Sequence, residues 1–572
     1  MRTYLSFIVT LSAWFFAPNT LDAQSDKTID FVGGARSFTA NNNLNVQSSI
    51  PDTTTVKRNT SGYALIDLGV NLRPNKNVEI LGMFRIRNDY GGFWGAGTSF
   101  TVRQLWLKGI IGNVLRYQLG DLNLRQTPFT LYNHHADRID SLPTIFKLQN
   151  DIISYEKFYQ KNTWRQQGAT IDFGLKFAKA LQEVNVMGYL TRLQASNFTT
   201  VPDRLMGGTT INLVQSQYFK IGYNNLFVFD LANTTPDSNL YSNTVHSLSP
   251  KFNKNFGENK LEVKAELGQS QVQYSQQIAQ SKLTDNFIHA TANFTMPKFH
   301  LELGASYLNV GPDFRSIGAQ SKNINYNNLP NFYNRIGNTK LARPLDLMDI
   351  IRNDNLYNTS VTANLMPINP LYNNILPYGI TTFNRQGVIV QFNYLSPKGL
   401  YFKAEQAFLS EIRGQGTLNL KTFTQTKLNS QIELHKLLKL KRQIKIQLGM
   451  NYQTTERSST LAVENVNLKT LQYQAGLEIE VLPNIDLLGG IVSTNTNGND
   501  FIPERNNFST IQFFNNTNYN VNQQLWALGA RCRFSHNIYL TALYQTNTYD
   551  NRLDNNTNYS ISQFAIIYNM LF

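Results

Sequence analysis

Apolar and polar residues alternate at every second position along most of this chain. Residues 444–452, for example, place Ile, Ile, Leu, Met and Tyr between Lys, Gln, Gly and Asn. Because successive side chains of a β-strand point to opposite faces, each such segment predicts a strand with one apolar and one polar face. The same alternation occurs at 64–72, 78–87, 169–177, 261–268, 301–307, 471–480 and 526–534, and no sustained helical period accompanies it.

The chain ends on a strand of the same kind. Within residues 560–572, one face is apolar and aromatic throughout and consists of Phe564, Ile566, Tyr568, Met570 and Phe572. The other face is mixed, and the last residue completes the apolar face. We expect this segment to be the strand that closes a barrel, with the last strand of a soluble β-sandwich as the alternative.

The number of strands decides between a barrel and an open sheet. Counting by parity gives about 22 strands, with about 20 as the near alternative, joined in turn by tight turns and long polar loops. An open sheet of that size would leave two long edges unpaired, whereas closure pairs every backbone group, as lipid requires. The opposite faces carry Glu, Lys, Arg and Gln, which are too polar for a dry core. We therefore predict an all-β fold, a transmembrane antiparallel up-and-down β-barrel with short periplasmic turns and long outer loops.

Two of the predicted outer loops are far longer than an ordinary connection. They cover about 125–163 and about 312–381. The second contains a segment from Pro344 to Arg352 that suits a short helix with Pro in its first turn. Both loops have enough apolar residues to pack on something, so we expect one or both to fold into the lumen or to cap it.

The first residues predict export. A positive Arg2, an apolar run from Leu5 to Phe16 and a small residue at Ala23 are typical of a secretory signal peptide over 1–23. The mature chain, 24–572, is then expected to be a single barrel. No apolar run long enough for a transmembrane helix follows the signal. Cys532 is the only cysteine, so an intramolecular disulfide is excluded.

Charge adds a hypothesis about the lumen. The formal net charge is +14, but the basic residues are scattered singly along strands, and we expect no nucleic-acid partner. The residues predicted to line the lumen are Arg85, Arg87, Arg116, Glu478, Glu480, Arg531 and Arg533. Two interpretations stay open for these arginines: a positive pore that attracts anions, or structural ion pairs with Glu79, Glu478 and Glu480. Arg85 and Arg87 could also approach Arg531 and Arg533, because the first and last strands of a barrel are neighbours.

Catalytic and metal-binding patterns are weak. Adjacent histidines, as at His134 and His135, point in opposite directions on an extended segment and fit one metal ion poorly. No glycine-rich strand end opens a helix that could cradle phosphate. We therefore expect no enzyme activity, no cofactor and no metal site.

Signal peptide, Asn-rich outer loops, alternating strands and a terminal Phe together resemble a porin-like outer-membrane barrel of the Bacteroidota type. The resemblance is architectural, covers the mature chain and identifies no characterised subfamily. It implies an integral location in the bacterial outer membrane, contact with lipid and lipopolysaccharide, and insertion by the barrel-assembly machinery. The activity it implies is passive passage of small solutes, to which the net charge and the lumen arginines add a preference for anions as a hypothesis. The alternative is a non-enzymatic subunit of a secretion or surface-assembly complex that docks protein partners through its long loops.

Overall fold

The structure, a computed structural model, describes most of the chain beyond its first residues. The described residues are 28–47, 58–90, 97–132, 141–157, 165–178, 180–236, 240–275, 280–319, 324–326, 343–357, 361–362, 365, 367–505, 511–535 and 537–572. The predicted signal peptide and the histidine pair lie outside these ranges.

A single closed antiparallel sheet contains 22 strands of the described chain. The strands are β1 (Ile29–Gln47), β2 (Arg58–Asn75), β3 (Val78–Asp89), β4 (Thr98–Ile111), β5 (Leu115–Asn123), β6 (Arg165–Lys176), β7 (Glu183–Gln194), β8 (Arg204–Val214), β9 (Phe219–Asp230), β10 (Leu240–Phe256), β11 (Asn259–Ser275), β12 (Gln280–Met296), β13 (Leu301–Val310), β14 (Arg385–Ser396), β15 (Leu400–Ser410), β16 (Thr422–Glu433), β17 (Ile444–Arg457), β18 (Val466–Leu482), β19 (Ile485–Arg505), β20 (Ile511–Ser535), β21 (Ile538–Asn551) and β22 (Asn558–Leu571). The predicted fold class and strand number are thus confirmed.

Closure is visible in the register of β1. Ser37 pairs with Ala64 of β2 on one side and with Tyr568 of β22 on the other. The backbone amide of Phe572 also donates to the carbonyl of Gly33 at 3.0 Å, so the seam is paired to the last residue. Every strand therefore has two neighbours, which is the condition that a lipid environment imposes on strands.

The remaining elements are short and lie between strands. In the described ranges they are the helices α1 (Thr144–Lys157), α2 (Leu347–Arg352) and α3 (Leu434–Leu437), five 3-10 turns and the extended segment Pro377–Ile380 outside the barrel sheet. Within the described ranges, none of the helices is long and apolar enough to cross a membrane.

Some strands are longer than the apolar alternation predicts. The hairpin of β19 and β20 reaches Arg505 and Ile511, well beyond the segment 526–534 in which apolar and polar residues alternate. The outward face of β20 changes there from Trp526 to amide side chains, namely Asn516, Asn518, Asn520, Asn522 and Gln524. An amide-rich strand shows no apolar period, so the sequence pattern locates the membrane band but not a hairpin that projects beyond it.

The outward face of the barrel is apolar. Leu528 and Phe534 of β20 are 63% and 61% exposed at the protein surface, whereas Leu525 and Ala527 on the inner face are buried. Exposed large apolar side chains recur on the same outward parity around the barrel, as at Ile66, Phe100, Ile171, Leu303 and Phe564. Such a band is stable only against lipid, so the chain is an integral barrel of an outer membrane.

Cys532 tests the register of β20. It lies on the outward parity and is paired with Leu540 of β21 and Ile485 of β19. In intact membranes we expect it to resist a charged, water-soluble thiol reagent and to react once detergent and denaturant are added. A Ser306→Cys variant in a Cys532→Ala background is the matched control, because Ser306 has the inner parity of β13 and should label through the lumen. Rapid labelling of Cys532 in membranes would mean that β20 is one residue out of register.

Candidate functional site

The described parts of both long loops fold into the lumen, and we call them together the lumen plug. The plug consists of residues 124–132, 141–157, 311–319, 343–357 and 367–384. Many of its side chains are fully buried between the loops and the inner wall, for example Phe129, Phe146, Phe314 and Leu347. The candidate site is therefore the lumen and the contacts that hold this plug.

One half of the plug packs on the wall from β7 to β13. Phe129 stacks on Phe287 of β12 with ring centroids 4.0 Å apart, and Phe314 meets the same ring edge-on at 5.1 Å. Polar contacts fix the depth of this half. The hydroxyl of Tyr189 donates to Gln126 at 3.0 Å, and the Ile317 amide donates to Asn243 at 3.0 Å. These bonds satisfy groups that would otherwise be buried without partners.

The helix α1 forms the other half and crosses the lumen. Its 14 residues make it about 21 Å long at about 1.5 Å per residue. At its start, the Thr144 hydroxyl donates to Glu478 of β18 at 3.0 Å, and the Thr144 amide donates to Gln447 of β17 at 2.9 Å. Its buried residues are Ile145, Phe146, Leu148, Gln149, Asn150 and Ile153.

The wall opposite α1 is adapted to receive it. Inner positions of β19 to β22 form an apolar surface that includes Leu488, Val492, Leu525, Leu543, Ile561 and Ile567. A Cβ at Gly490 would lie 2.7 Å from the Ile145 side chain, so only glycine permits the observed approach of helix and strand. The wall here is a packing surface, and the side chains that fill it are those of the plug.

A second helix is anchored by buried charge. Asp346 caps α2 by accepting from the Asp349 amide at 2.9 Å, and Arg343 donates to both oxygens of Asp349 at 2.6 and 2.7 Å. The Tyr559 hydroxyl of β22 donates to Asp346 at 2.9 Å, which ties the helix to the wall. Burial and the charge of Asp349 raise the pKa of Asp346 to about 6, although Arg343 acts in the opposite direction.

The last turn of α1 contacts three arginines and one aspartate of the wall. We call these residues, together with the two residues of α1 that they contact, the arginine cluster. Its members are Arg36 of β1, Asp67 of β2, Arg85 of β3, Arg103 of β4, and Tyr155 and Glu156 of α1. Arg36 donates to Glu156 at 2.7 Å, and Arg85 donates to it through both terminal nitrogens. Arg85 also donates two hydrogen bonds of 2.7 Å to the carboxylate of Asp67. Glu156 is thus held by the wall on several sides.

The cluster is almost closed to solvent. Side-chain exposure is 4% for Arg36, 7% for Arg103 and 8% for Glu156. Burial alone would raise the pKa of Glu156, but the hydrogen bond and charge of Arg85 and the charges of Arg103 and Arg36 lower it to about 2. The Tyr155 ring lies under the guanidinium groups of Arg36 and Arg103, at 5.1 and 4.5 Å. Glu156 is therefore an anion at every physiological pH.

The other predicted lumen residues lie in ion pairs at separate places. Arg531 contacts Glu478 and Asp486, and Arg533 contacts Glu480 and Asp486. Arg87 donates to Asp89 at 2.9 Å, and Arg116 contacts Asp172. The expected approach of Arg85 and Arg87 to Arg531 and Arg533 is wrong, because β21, β22, β1 and β2 lie between β20 and β3. The closing-strand residues Phe564, Ile566, Tyr568, Met570 and Phe572 have the outward parity of β22 and its end.

A water-accessible space remains at the periplasmic mouth. A cavity of about 1140 Å³ lies along β2 to β6 and is lined by charged side chains that include Arg73, Glu79, Lys108, Arg116 and Asp172. Lys108 pairs with Glu79 at 2.7 Å, so this rim also holds both signs of charge. This wet space lies to one side of the plug, whose helix α1 also reaches the periplasmic half of the opposite wall at Gln447 and Glu478.

Three wall members of the arginine cluster, Arg36, Asp67 and Arg103, were not predicted from the sequence as lumen residues. The sequence does indicate that Asp67 faces the lumen, because its side chain lies on the face of β2 opposite to the apolar face. The sequence does not indicate this for Arg103, because β4 shifts register between Val102 and Gln104 and the alternation of apolar and polar residues breaks there. Arg36 lies beside no clear apolar alternation. Glu156, which pairs with Arg36 and Arg103, comes from a loop about 50 residues or more along the chain, which no local pattern indicates.

Comparisons with known proteins give a likeness of shape. No family model matches the chain, and no curated protein matches its sequence. Among solved structures, Pseudomonas aeruginosa OpdQ matches with 7% identity over 95% of this chain and 98% of its own, at a TM-score of 0.36. Pseudomonas aeruginosa OccK10 (OpdN) has 8% identity, 95% and 99% coverage and a TM-score of 0.36. Acinetobacter baumannii OccAB1 has 9% identity, 97% and 100% coverage and a TM-score of 0.33.

Proposed function

We propose that this protein is a porin-like channel that lets small solutes pass across the outer membrane beside its lumen plug. The observation that carries the proposal is the inner wall of the periplasmic half. Its side chains are charged or amide groups that stay half-buried, namely Gln391, Lys403, Glu405, Lys427 and Lys445. Groups of this kind are costly in a dry core and stable beside water, so this part of the lumen is a hydrated vestibule.

The same proposal includes a preference for anions. Glu478, Glu480 and Asp486 balance Arg531 and Arg533 at the mouth. The arginine cluster, however, holds three guanidinium groups and two carboxylates, and the whole chain carries a net charge of +14. Fixed positive charge in a narrow pore raises the local anion concentration, and salt screens it over about 10 Å at about 0.1 M.

Conductance of the purified protein in a planar bilayer tests the channel. We expect discrete current steps and a reversal potential, under a salt gradient, that indicates anion preference and fades at high salt. Replacing Arg531 and Arg533 by Gln leaves Glu478, Glu480 and Asp486 without these partners and should shift the reversal potential toward cations. The matched control is Arg116→Gln, which removes one exposed arginine from the same mouth. A closed protein that never conducts would remove the channel proposal.

A second candidate is a docking subunit of a secretion or surface-assembly complex. It is favoured by apolar side chains that stand exposed on outer loops, where lipid does not cover them: Leu418 (99%), Leu461 (59%) and Val463 (58%). The loops that carry Leu418 and Val463 are joined, because Thr417 donates to Glu464 at 2.6 Å. Co-purification of a stoichiometric protein partner that is lost in a Leu418→Asp variant would favour this function.

Export and assembly complete the proposal. We place cleavage of a signal peptide after Ala23, insertion by the barrel-assembly machinery through β22, contact with lipopolysaccharide and an origin of the Bacteroidota type in the same proposal. The terminal Phe572 and the apolar outward face of β22 support the insertion step. N-terminal sequencing of the mature protein tests the cleavage position.

A further inference from the structure

The arginine cluster has the construction of a carboxylate-binding site. Arg36, Arg85 and Arg103 project from three strands of the wall toward one carboxylate, that of Glu156. Contacts to its Oε1 atom are 2.7 Å from Arg36 and 3.1 Å from Arg85. Contacts to its Oε2 atom come from Arg85 and, at 3.6 Å, from Arg103. Guanidinium groups arranged around both oxygens are the usual means by which proteins recognise carboxylates.

The occupant does not belong to the wall. Glu156 lies in the last turn of α1, so it is delivered by the plug. Without it, the wall part of the cluster would keep three guanidinium groups and the single carboxylate of Asp67. Asp67 is already engaged in two bonds of 2.7 Å with Arg85. The wall alone is therefore a buried site with excess positive charge, which requires an anion.

The site also keeps unused donor capacity. Arg36 is only 5% exposed, and its Nε atom has no hydrogen-bond partner in the described part of the chain. A buried donor without an acceptor is unfavourable and is rare in folded proteins. A small carboxylate that is not tethered to a helix could move toward Arg36 in a way that the Glu156 side chain cannot.

We propose that Glu156 is a tethered occupant of an anion site and that a small carboxylate solute in the lumen competes with it for Arg36, Arg85 and Arg103. Competition exchanges one carboxylate for another, so the charge of the cluster is conserved. Release of Glu156 frees the last turn of α1 from β1, β3 and β4, while its first turn stays on β17 and β18. The proposal rests on the proposed channel only for the route by which the solute arrives.

The test is rescue of a Glu156→Ala variant by acetate. Removing the side chain opens a space and leaves the arginines without their occupant, so the thermal unfolding midpoint in detergent should fall below that of the wild type. Sodium acetate should raise it toward the wild-type value, whereas sodium chloride at the same ionic strength should not. Calorimetric titration should detect acetate binding to Glu156→Ala that is at least tenfold tighter than to the wild type.

Two controls make the result specific. Glu156→Gln removes the charge but keeps the space filled, so acetate should not restore its midpoint. The double variant Arg85→Gln, Glu156→Ala removes the central donor, so acetate binding should be lost. Equal effects of acetate on Glu156→Ala and Glu156→Gln, or equal effects of acetate and chloride, would overturn the proposal.

A second measurement covers a Glu156→Ala variant that does not assemble. In the wild type, acetate should speed hydrogen–deuterium exchange of the amides of residues 153–157 relative to chloride at the same ionic strength, because it displaces Glu156. Exchange that is identical in the two salts would also overturn the proposal. Both tests measure binding and not transport, so a protein that binds acetate without conducting would refute the channel and keep the anion site.

Discussion

Replacing both Tyr568 and Phe572 by aspartate is expected to leave almost no assembled protein in the outer membrane. Both residues have outward parity at the seam, where Tyr568 pairs with Ser37 and the Phe572 amide bonds to Gly33 at 3.0 Å. The cost of a charged side chain on the lipid face falls from about 2–4 kcal/mol for Arg or Lys at the midplane to about 0–1 kcal/mol near the interface and is smaller for Asp, so most of the expected effect lies in insertion and closure. Two such charges on the closing strand oppose both its insertion and its pairing with β1.

The measurement is the amount of heat-modifiable barrel on a gel of outer-membrane extracts. Asn569→Asp is the matched control, because Asn569 lies between the two substituted positions and has the inner parity of β22. We expect that variant to reach wild-type levels. Normal levels of the double variant would mean that the outward face of β22 has no part in closure.

The barrel could be predicted because its determinants are local. Parity along each strand separates outward from inward side chains, and tight turns mark the ends, as at Asn113 and Asn484, which both have positive φ. Length and closure then follow from the requirement that lipid leaves no strand edge unpaired. The prediction succeeded for residues 471–480 of β18 and 526–534 of β20, where apolar and polar residues alternate.

The plug could not be placed because its determinants are not local. The contact of Glu156 with Arg36 joins residues 120 positions apart, and that of Tyr559 with Asp346 joins residues 213 positions apart. Alternation along the strand also predicts the wrong surroundings for the inner faces of β19 to β22. Leu525 and Ile567 are apolar on the inner side, because they cover the plug and not water. Inward-facing residues therefore contact either water or the plug, and only the three-dimensional structure shows which.

Arg343→Met is expected to release the α2 half of the plug while the barrel remains assembled. Arg343 is buried with 7% of its side chain exposed, and its partners Asp346 and Asp349 are exposed by 0% and 2%. Removing one partner of a buried ion pair costs about 3–5 kcal/mol, because the remaining charges stay without compensation. Here two carboxylates would face each other beside Tyr559, so residues 343–357 should leave the wall.

Hydrogen–deuterium exchange measures this release. Amides of residues 343–357 should exchange faster in Arg343→Met than in the wild type, with strand amides unchanged. Arg413→Met is the matched control, because its ion pair with Asp313 leaves 59% of the arginine exposed. Exposed pairs contribute about 0–1 kcal/mol, so little change is expected there.

The pH dependence of this release has a defined sign. The pKa of Asp346 in the folded protein is about 6, above its ordinary value of 3.8, so ionisation of Asp346 opposes the folded arrangement. Its carboxyl group favours docking of α2 most below about pH 4, and that contribution is lost as the pH rises through about 6. Loss of Arg343 removes the charge that holds this pKa down, so Arg343→Met should stay docked at pH 5 and release at pH 8. Equal exchange of residues 343–357 in Arg343→Met and wild type at pH 8 would mean that apolar packing alone holds the plug.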